Sequence, residues 1–240
     1  MQSLVGKKVL VVGGSSGIGL ATAALALKAG AKVTIASRDR ARLDGAVKSL
    51  GAGSDGRVLD TTDQASVDAF FKADQTWDHV VTSAGAGGRG FLPDLPMDRA
   101  FAAMDAKFWG YFRVARALKL PPDGSLTFVS GQLSQIPSKG ATLVSAINAA
   151  IEGMTRGLAV DLAPTRVNTV CPGVIDTPLW DQLPPDAKKA LYERQAETLL
   201  TRRIGQPEDV AEAILAAMTN RFMTGTVMML EGGAGLGSGY

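Results

Sequence analysis

The sequence predicts an α/β protein built on one doubly wound parallel sheet of about seven strands, with helices on both faces. Three observations predict it. Short apolar runs alternate with longer helix-like segments from end to end, the pattern of a parallel sheet covered on both sides. The first apolar run ends in a glycine-rich turn that opens a helix, "VVGGSSGIG" (11–19). No repeat and no low-complexity linker interrupts the chain, so a single domain is expected over residues 1–240. Right-handed crossovers then give the doubly wound arrangement.

The elements follow in order. "KVLVVGG" (8–14) reads as a buried strand, and "IGLATAALALKAG" (18–30) as an Ala- and Leu-rich helix stopped by Gly30, since glycine accepts the left-handed cap conformation. "KVTIASR" (32–38) is the second strand, "RDRARLDGAVKSL" (38–50) a charged helix and "RVLD" (57–60) the third strand. Asp63 stands where it caps "QASVDAFFKA" (64–73). Further strands are "HVVTSAG" (79–85), "SLTFVSG" (125–131), "RVNTVCPG" (166–173) and "TVMMLEGG" (226–233). Segments 98–119, 141–162 and 207–219 are expected helices, the last starting at Pro207. Residues 86–97 read as loop. Residues 176–206, with Pro178, Pro184, Pro185 and a short helix, break the rhythm; they are the expected substrate-covering flap.

Composition narrows the function. Charges nearly balance at +2, which gives no electrostatic reason to expect nucleic acid or an acidic membrane surface as partner. The single Cys171 excludes an internal disulfide framework, and one Cys with one His makes a zinc site a poor expectation. "MQSLVGKKVLVVGG" lacks the apolar core of a signal peptide, and no apolar run is long enough to span a bilayer. A soluble, cytoplasmic protein is expected.

Gly13, Gly17 and Gly19 have the spacing G-x-x-x-G-x-G. Glycine permits the tight turn and close backbone approach to a pyrophosphate, and the helix start supplies free N–H groups and partial positive charge. Strand, glycine turn and helix together point to a bound dinucleotide.

With these motifs in order, the chain resembles the short-chain dehydrogenase/reductase family, with its Rossmann-type fold. "GGSSGIG" matches the family's glycine motif, and "TSAG" (82–85) its Asn-Asn-Ala-Gly strand end, with Thr82 and Ser83 in place of the asparagines. "LDTTD" (59–63) resembles the adenine-contacting segment, with Asp60 in the contacting place; "RVNTVCPGVIDTP" (166–178) resembles the stretch before the flap. "RRIGQPEDVAEAI" (202–214) and "MTGTVMMLEGG" (223–233) resemble the C-terminal signature. The resemblance implies cofactor contacts from Gly13, Ser15, Ser16, Gly17, Ile18, Gly19, Ser37, Arg38, Asp60, Thr61, Ser83, Ala84, Gly85, Asn148, Pro172, Gly173, Ile175 and Thr177. It also implies a homo-tetramer or homo-dimer formed through helices 98–119 and 141–162. The end of the second strand carries Ser37 and Arg38 rather than an acidic residue. A guanidinium suits a 2′-phosphate where a carboxylate would bind a 2′-hydroxyl, so NADP(H) is the expected cofactor.

The family's chemistry implies a Ser, a Tyr thirteen residues later, a Lys four beyond that and an Asn on the preceding helix. The catalytic helix aligns without a gap, and those positions hold Gly131, Val144, Asn148 and Lys107. Tyr111, Tyr192 and Tyr240 are the only tyrosines, and none is followed by Lys at the fourth position. Valine transfers no proton, and loss of a general acid removes on the order of 10²–10⁴-fold in rate. The Asn and Lys types are, however, exchanged between the two helices, so Lys107, Ser130 and Asn148 are the candidate catalytic residues. If the family geometry holds, Asn148 reaches the cofactor ribose and Lys107 the nicotinamide or a substrate oxygen. The bland alternative has Lys107 in solvent and Val144 filling a hole.

Around this helix, Gln132, Ser134, Gln135, Ser138 and Lys139 form a polar loop suited to orienting a substrate. Trp109 and Trp180 are pocket-lining or packing residues, and His79, at the start of a strand, is expected to be structural. Two functions stay open. One is an atypical NADP(H)-dependent oxidoreductase that reduces a carbonyl or conjugated acceptor; the other is a non-catalytic NADP(H)-binding sensor or partner protein.

Overall fold

The computed structural model describes residues 3–72, 76–85 and 87–236. The expected helix end at Ala73, the loop start at Ala86 and Tyr240 lie outside them. Seven strands form one parallel sheet: β1 (Lys8–Val12), β2 (Lys32–Ser37), β3 (Ser54–Val58), β4 (His79–Thr82), β5 (Ser125–Val129), β6 (Arg166–Pro172) and β7 (Val227–Leu230). Their order is β3-β2-β1-β4-β5-β6-β7. The chain winds outward from β1 to one edge, returns to β4 beside it, and winds to the other edge. This reversal leaves a crevice at the carboxyl ends of β1 and β4, where ligands bind in such sheets.

Each central strand feeds two cores. Val9 and Val11 of β1 point to one face; Leu10 and Val12 point to the other. That two-residue alternation is the strand's own period. On the first face lie α1 (Gly17–Lys28), α2 (Arg40–Leu50) and α8 (Pro207–Thr219). On the second lie α3 (Gln64–Lys72), α4 (Met97–Met104), α5 (Gly110–Ala117) and α6 (Thr142–Asp161). Every residue of β4, β5 and β6 is buried, as expected of strands covered on both sides.

The local signals act as their chemistry dictates. Gly30 takes φ +94° after α1. Asp63 Oδ1 accepts from Ala65 N–H at 3.0 Å at the start of α3. Pro207 opens α8, where Gln206 N–H also donates to Asp209 Oδ2 at 2.7 Å.

Two expectations are corrected. The third strand is Ser54–Val58, not 57–60. As an edge strand it pairs through backbone with β2 alone, so its polar residues Ser54, Asp55 and Arg57 carry no apolar signature. Segment 98–119 is not one regular helix. Between α4 and α5 the residues Asp105–Trp109 form a π-helical turn. Segment 176–206 contains a short 3₁₀ turn, Pro178–Gln182, and α7 (Pro185–Thr198), which buries none of its residues. Trp180 in this segment donates from Nε1 to Ile175 O at 2.9 Å. No helix among the described residues is long and apolar enough to cross a membrane, and no cluster of metal-ligating side chains occurs among them.

Candidate active site

The glycine turn after β1 is shaped for close approach. Gly13 takes φ +84°, and a β-carbon there would lie 2.6 Å from Ala84 N. Only glycine lets the chain leaving β1 pass so near the chain leaving β4. Ser83 N–H donates to Val12 O at 2.8 Å, which locks the two strand ends together. Thr177 Cγ2 comes within 3.2 Å of the place a Gly17 β-carbon would occupy. The stretch after β6 thus closes over the start of α1, whose first residues Gly17, Ile18 and Gly19 follow Ser15 and Ser16. Bare backbone at Gly13 and Gly17 beside a helix N-terminus fits a pyrophosphate.

Beside it, at the end of β2, Ser37 and Arg38 follow Ala36, whose carbonyl accepts from Gly13 N–H at 2.8 Å. Neighbouring Arg40 and Arg42 pair with Asp44 and Asp39. Arg38 is exposed and, among the described residues, takes part in no ion pair. Asp60 Oδ1 accepts from Thr62 N–H and Thr62 Oγ1 at 2.9 and 2.7 Å. Burial opposes its charge, but these bonds hold the carboxyl below its usual range. The carbonyl of Thr61 accepts from Arg113 Nη1 at 3.2 Å, tying this segment to α5.

Lys107 lies in the middle of the π-helical turn, a local widening that often marks functional positions. Its side chain points inward rather than to solvent. Lys107 Nζ donates to Ser130 O at 2.9 Å and to Asn148 Oδ1 at 3.0 Å. An ammonium has three donors, so one has no partner among the described residues. No carboxylate lies within ion-pair distance of Lys107 among the described residues. Burial pushes its ammonium down to about 8.

Asn148 is 1% exposed, and both ends of its amide are occupied. Its oxygen accepts from Lys107, and its Nδ2 donates to Gly131 O at 3.2 Å. The structure thus places Asn148 against Lys107 and Gly131. The missing side chain at Gly131 makes the arrangement possible, because a β-carbon there would fall 2.9 Å from Asn148 Nδ2. Gly131, Asn148 and Lys107 are therefore coupled in space. Ser130 participates through its backbone carbonyl, while its hydroxyl donates to Asn148 O at 3.1 Å and pins α6 to the end of β5. Val144 is half-buried one helical turn before Asn148.

Other ionisable groups stand apart. His79 is buried at the opposite end of the sheet, 2.9 Å from Ser125 Oγ, and burial lowers it to about 4. Tyr111 is buried, donates to Val129 O at 3.0 Å and is pushed upward by burial. The Cys171 thiol, raised to about 12 by burial and the nearby Glu152, lies beneath the site as an inert group. Trp109 is 46% exposed on the outer side of its segment, away from the core.

Residues 12–235 match the family model described as "Enoyl-(Acyl carrier protein) reductase". A short-chain dehydrogenase/reductase of Stachybotrys chlorohalonatus is 33% identical, over 98% of this chain and 99% of its own. Among solved structures, a reductase/Diels-Alderase from Malbranchea aurantiaca is 31% identical, with TM-score 0.90 and 98% of both chains covered. An NADPH-bound short-chain oxidoreductase from Pseudomonas aeruginosa PAO1, described as containing an atypical catalytic center, is 28% identical. It has TM-score 0.88 and covers 97% of this chain and 98% of its own.

Proposed function

The chain belongs to the short-chain dehydrogenase/reductase family and is an oxidoreductase of that type; from this we propose that it is an atypical NADP(H)-dependent reductase of a carbonyl or conjugated small molecule, working without the usual Tyr acid. The observation that carries this reading is the inward-facing Lys107, held by Ser130 O and Asn148 Oδ1 at 2.9 and 3.0 Å. Two of its three protons are fixed, so the third has a defined direction.

The residues around the glycine turn, with Ser37, Arg38, Asp60, Ala84, Gly85, Pro172, Gly173, Ile175 and Thr177, are those that would hold the cofactor. The chemistry such a cofactor supplies when bound is hydride transfer. NADPH is proposed over NADH because Arg38 is exposed and unpaired among its neighbours, and because the Pseudomonas aeruginosa relative is an NADPH complex.

Lys107 donates a hydrogen bond to the acceptor oxygen, where negative charge builds up in the transition state. With an ammonium near 8, it is also acidic enough to give up its proton at neutral pH. Asn148 positions Lys107; Ser130 contributes the second anchor through its carbonyl. A conjugated acceptor such as an enone or quinone suits this site, because its developing oxyanion is delocalised and asks less of a dedicated acid. The test is NADPH oxidation against a panel of ketones, enones and quinones. Turnover of conjugated acceptors supports the reading; no oxidation with any member, despite tight NADPH binding, supports the sensor function instead.

A further inference from the structure

We propose that Arg113 is a positioning residue: it clamps the π-helical turn that carries Lys107 against the segment Asp60–Thr62, and so ties the placement of Lys107 to the part of the chain that would hold the cofactor's adenine. The inference rests on the reductase reading and adds to it a residue that acts through Lys107. The guanidinium of Arg113 bonds two partners on different elements. Nη2 donates to Asp105 Oδ1 at 2.7 Å, and Nη1 donates to Thr61 O at 3.2 Å. Asp105 is the first residue of the π-helical turn, and Arg113 lies in the first turn of α5 beyond it. Their bond therefore spans the whole turn. Thr61 lies between β3 and α3. A guanidinium is a rigid planar fork, so fixing one partner fixes the direction of the other.

Two close backbone approaches hold the same turn. A β-carbon at Gly110 would lie 2.8 Å from Thr61 Oγ1, and one at Gly85 would lie 2.8 Å from Ala106 O and 3.1 Å from Lys107 Cβ. Glycine at both positions lets the turn rest directly on Thr61 and on the chain leaving β4. The tip of Lys107 is tied to Ser130 O and Asn148 Oδ1. Its base is held by the Arg113 clamp and by Gly85, both on residues beside the cofactor site.

Energetics decide what the clamp does. The Arg113 and Asp105 side chains are 23% and 35% exposed, and an ion pair open to water contributes little to stability. The placement of a proton donor is far more sensitive, since a shift of about 1 Å can cost about 100-fold in rate. The clamp therefore matters more for where Lys107 stands than for how firmly the chain folds. Arg113 also acts on Asp60: burial opposes that carboxylate's charge, the Thr62 bonds favour it, and the charges of Arg38 and Arg113 add to them. One guanidinium thus serves a carboxylate on the cofactor's side and another on the lysine's.

The experiment compares Arg113→Met, Asp105→Ala and Asp105→Asn with wild type. Kinetics use NADPH and 2-cyclohexenone. In parallel, the protein without cofactor is treated with dilute acetic anhydride, and acetylation of each lysine is followed by mass spectrometry. Arg113→Met and Asp105→Ala are expected to lower kcat by about tenfold or more with substrate KM within about twofold, and to raise acetylation at Lys107 alone. Asp105→Asn keeps an oxygen for Arg113 Nη2 and is expected to stay near wild type in both readouts. Arg113→Met is expected to weaken NADPH and NADH by the same factor, because the adenine is common to both. Unchanged kcat or unchanged Lys107 acetylation in Arg113→Met overturns the inference. So does acetylation that rises at every lysine, which would make the clamp a general stabiliser, or a loss confined to NADPH, which would give Arg113 to the 2′-phosphate. Asp105→Asn as impaired as Asp105→Ala overturns it as well. Absence of turnover in wild type counts against the reductase reading itself, and the acetylation pattern then decides the clamp.

Discussion

Lys107 Nζ and Asn148 Oδ1 stand 3.0 Å apart, joining the π-helical turn 105–109 to α6 across the end of β5. The pair depends on the absence of a side chain at Gly131, and it leaves one N–H of Lys107 without a partner among the described residues. Five expectations follow from that relationship and from the surfaces around it.

The first concerns pH. Burial lowers Lys107 from 10.5 to about 8. Between those values the unfolded chain binds the proton and the folded chain does not, so folding stability rises with pH across that window. Below about 8 the buried ammonium costs stability throughout. If Lys107 is the acid, kcat/KM falls as pH rises through about 8. Lys107→Met should abolish both dependences, read by denaturant melts and rate profiles from neutral to alkaline pH. An unchanged stability profile in the variant would contradict the assignment.

Gly131→Ala tests the coupling. The added β-carbon would sit 2.9 Å from Asn148 Nδ2, and that amide is held at both ends. The backbone at 131 is extended, so the cost is a clash and not strain. Crowding of this kind costs about 1–3 kcal/mol. Turnover should fall with it, because Asn148 can no longer hold Lys107, while NADPH affinity stays near the wild-type value.

Arg38→Ala should weaken NADPH binding roughly tenfold to a hundredfold and leave NADH binding unchanged, since charged hydrogen bonds are worth about 1.5–3 kcal/mol. Calorimetric titration of both cofactors measures it. Equal losses for the two would remove the 2′-phosphate from the argument.

Assembly is tested on the outer face of segment 97–112. Met97, Phe101, Trp109 and Phe112 are 64%, 68%, 46% and 41% exposed. We propose a second copy of the chain as its occupant, since apolar exposure of that kind is typical of interaction surfaces. Sedimentation should find wild type as a dimer or tetramer and Phe101→Glu as a smaller species. A monomeric wild type would contradict it.

Much of this was legible in the sequence, for identifiable reasons. The central strands and α1 announce themselves because full burial demands continuous apolar runs, and Gly13, Gly17 and Gly19 because a tight cradle excludes side chains. The bounds of β3 are not legible, because an edge strand needs only backbone partners. The π-helical turn has no signature in residue type that separates it from the helices on either side. The exchange of Lys and Asn types between helices was visible, but the direct bond between them was not. The anchoring role of Ser130 O was invisible, because a backbone carbonyl has no signature in residue type.

The central claim is that Lys107 serves the transfer of hydride to a bound acceptor. The most direct test follows deuterium from C4-labelled NADPH into a conjugated acceptor, in wild type and in Lys107→Met. Stereospecific transfer is expected in wild type, reduced by about 10²-fold or more in the variant, with NADPH affinity preserved. Equal transfer by both proteins, or none by wild type, would contradict it.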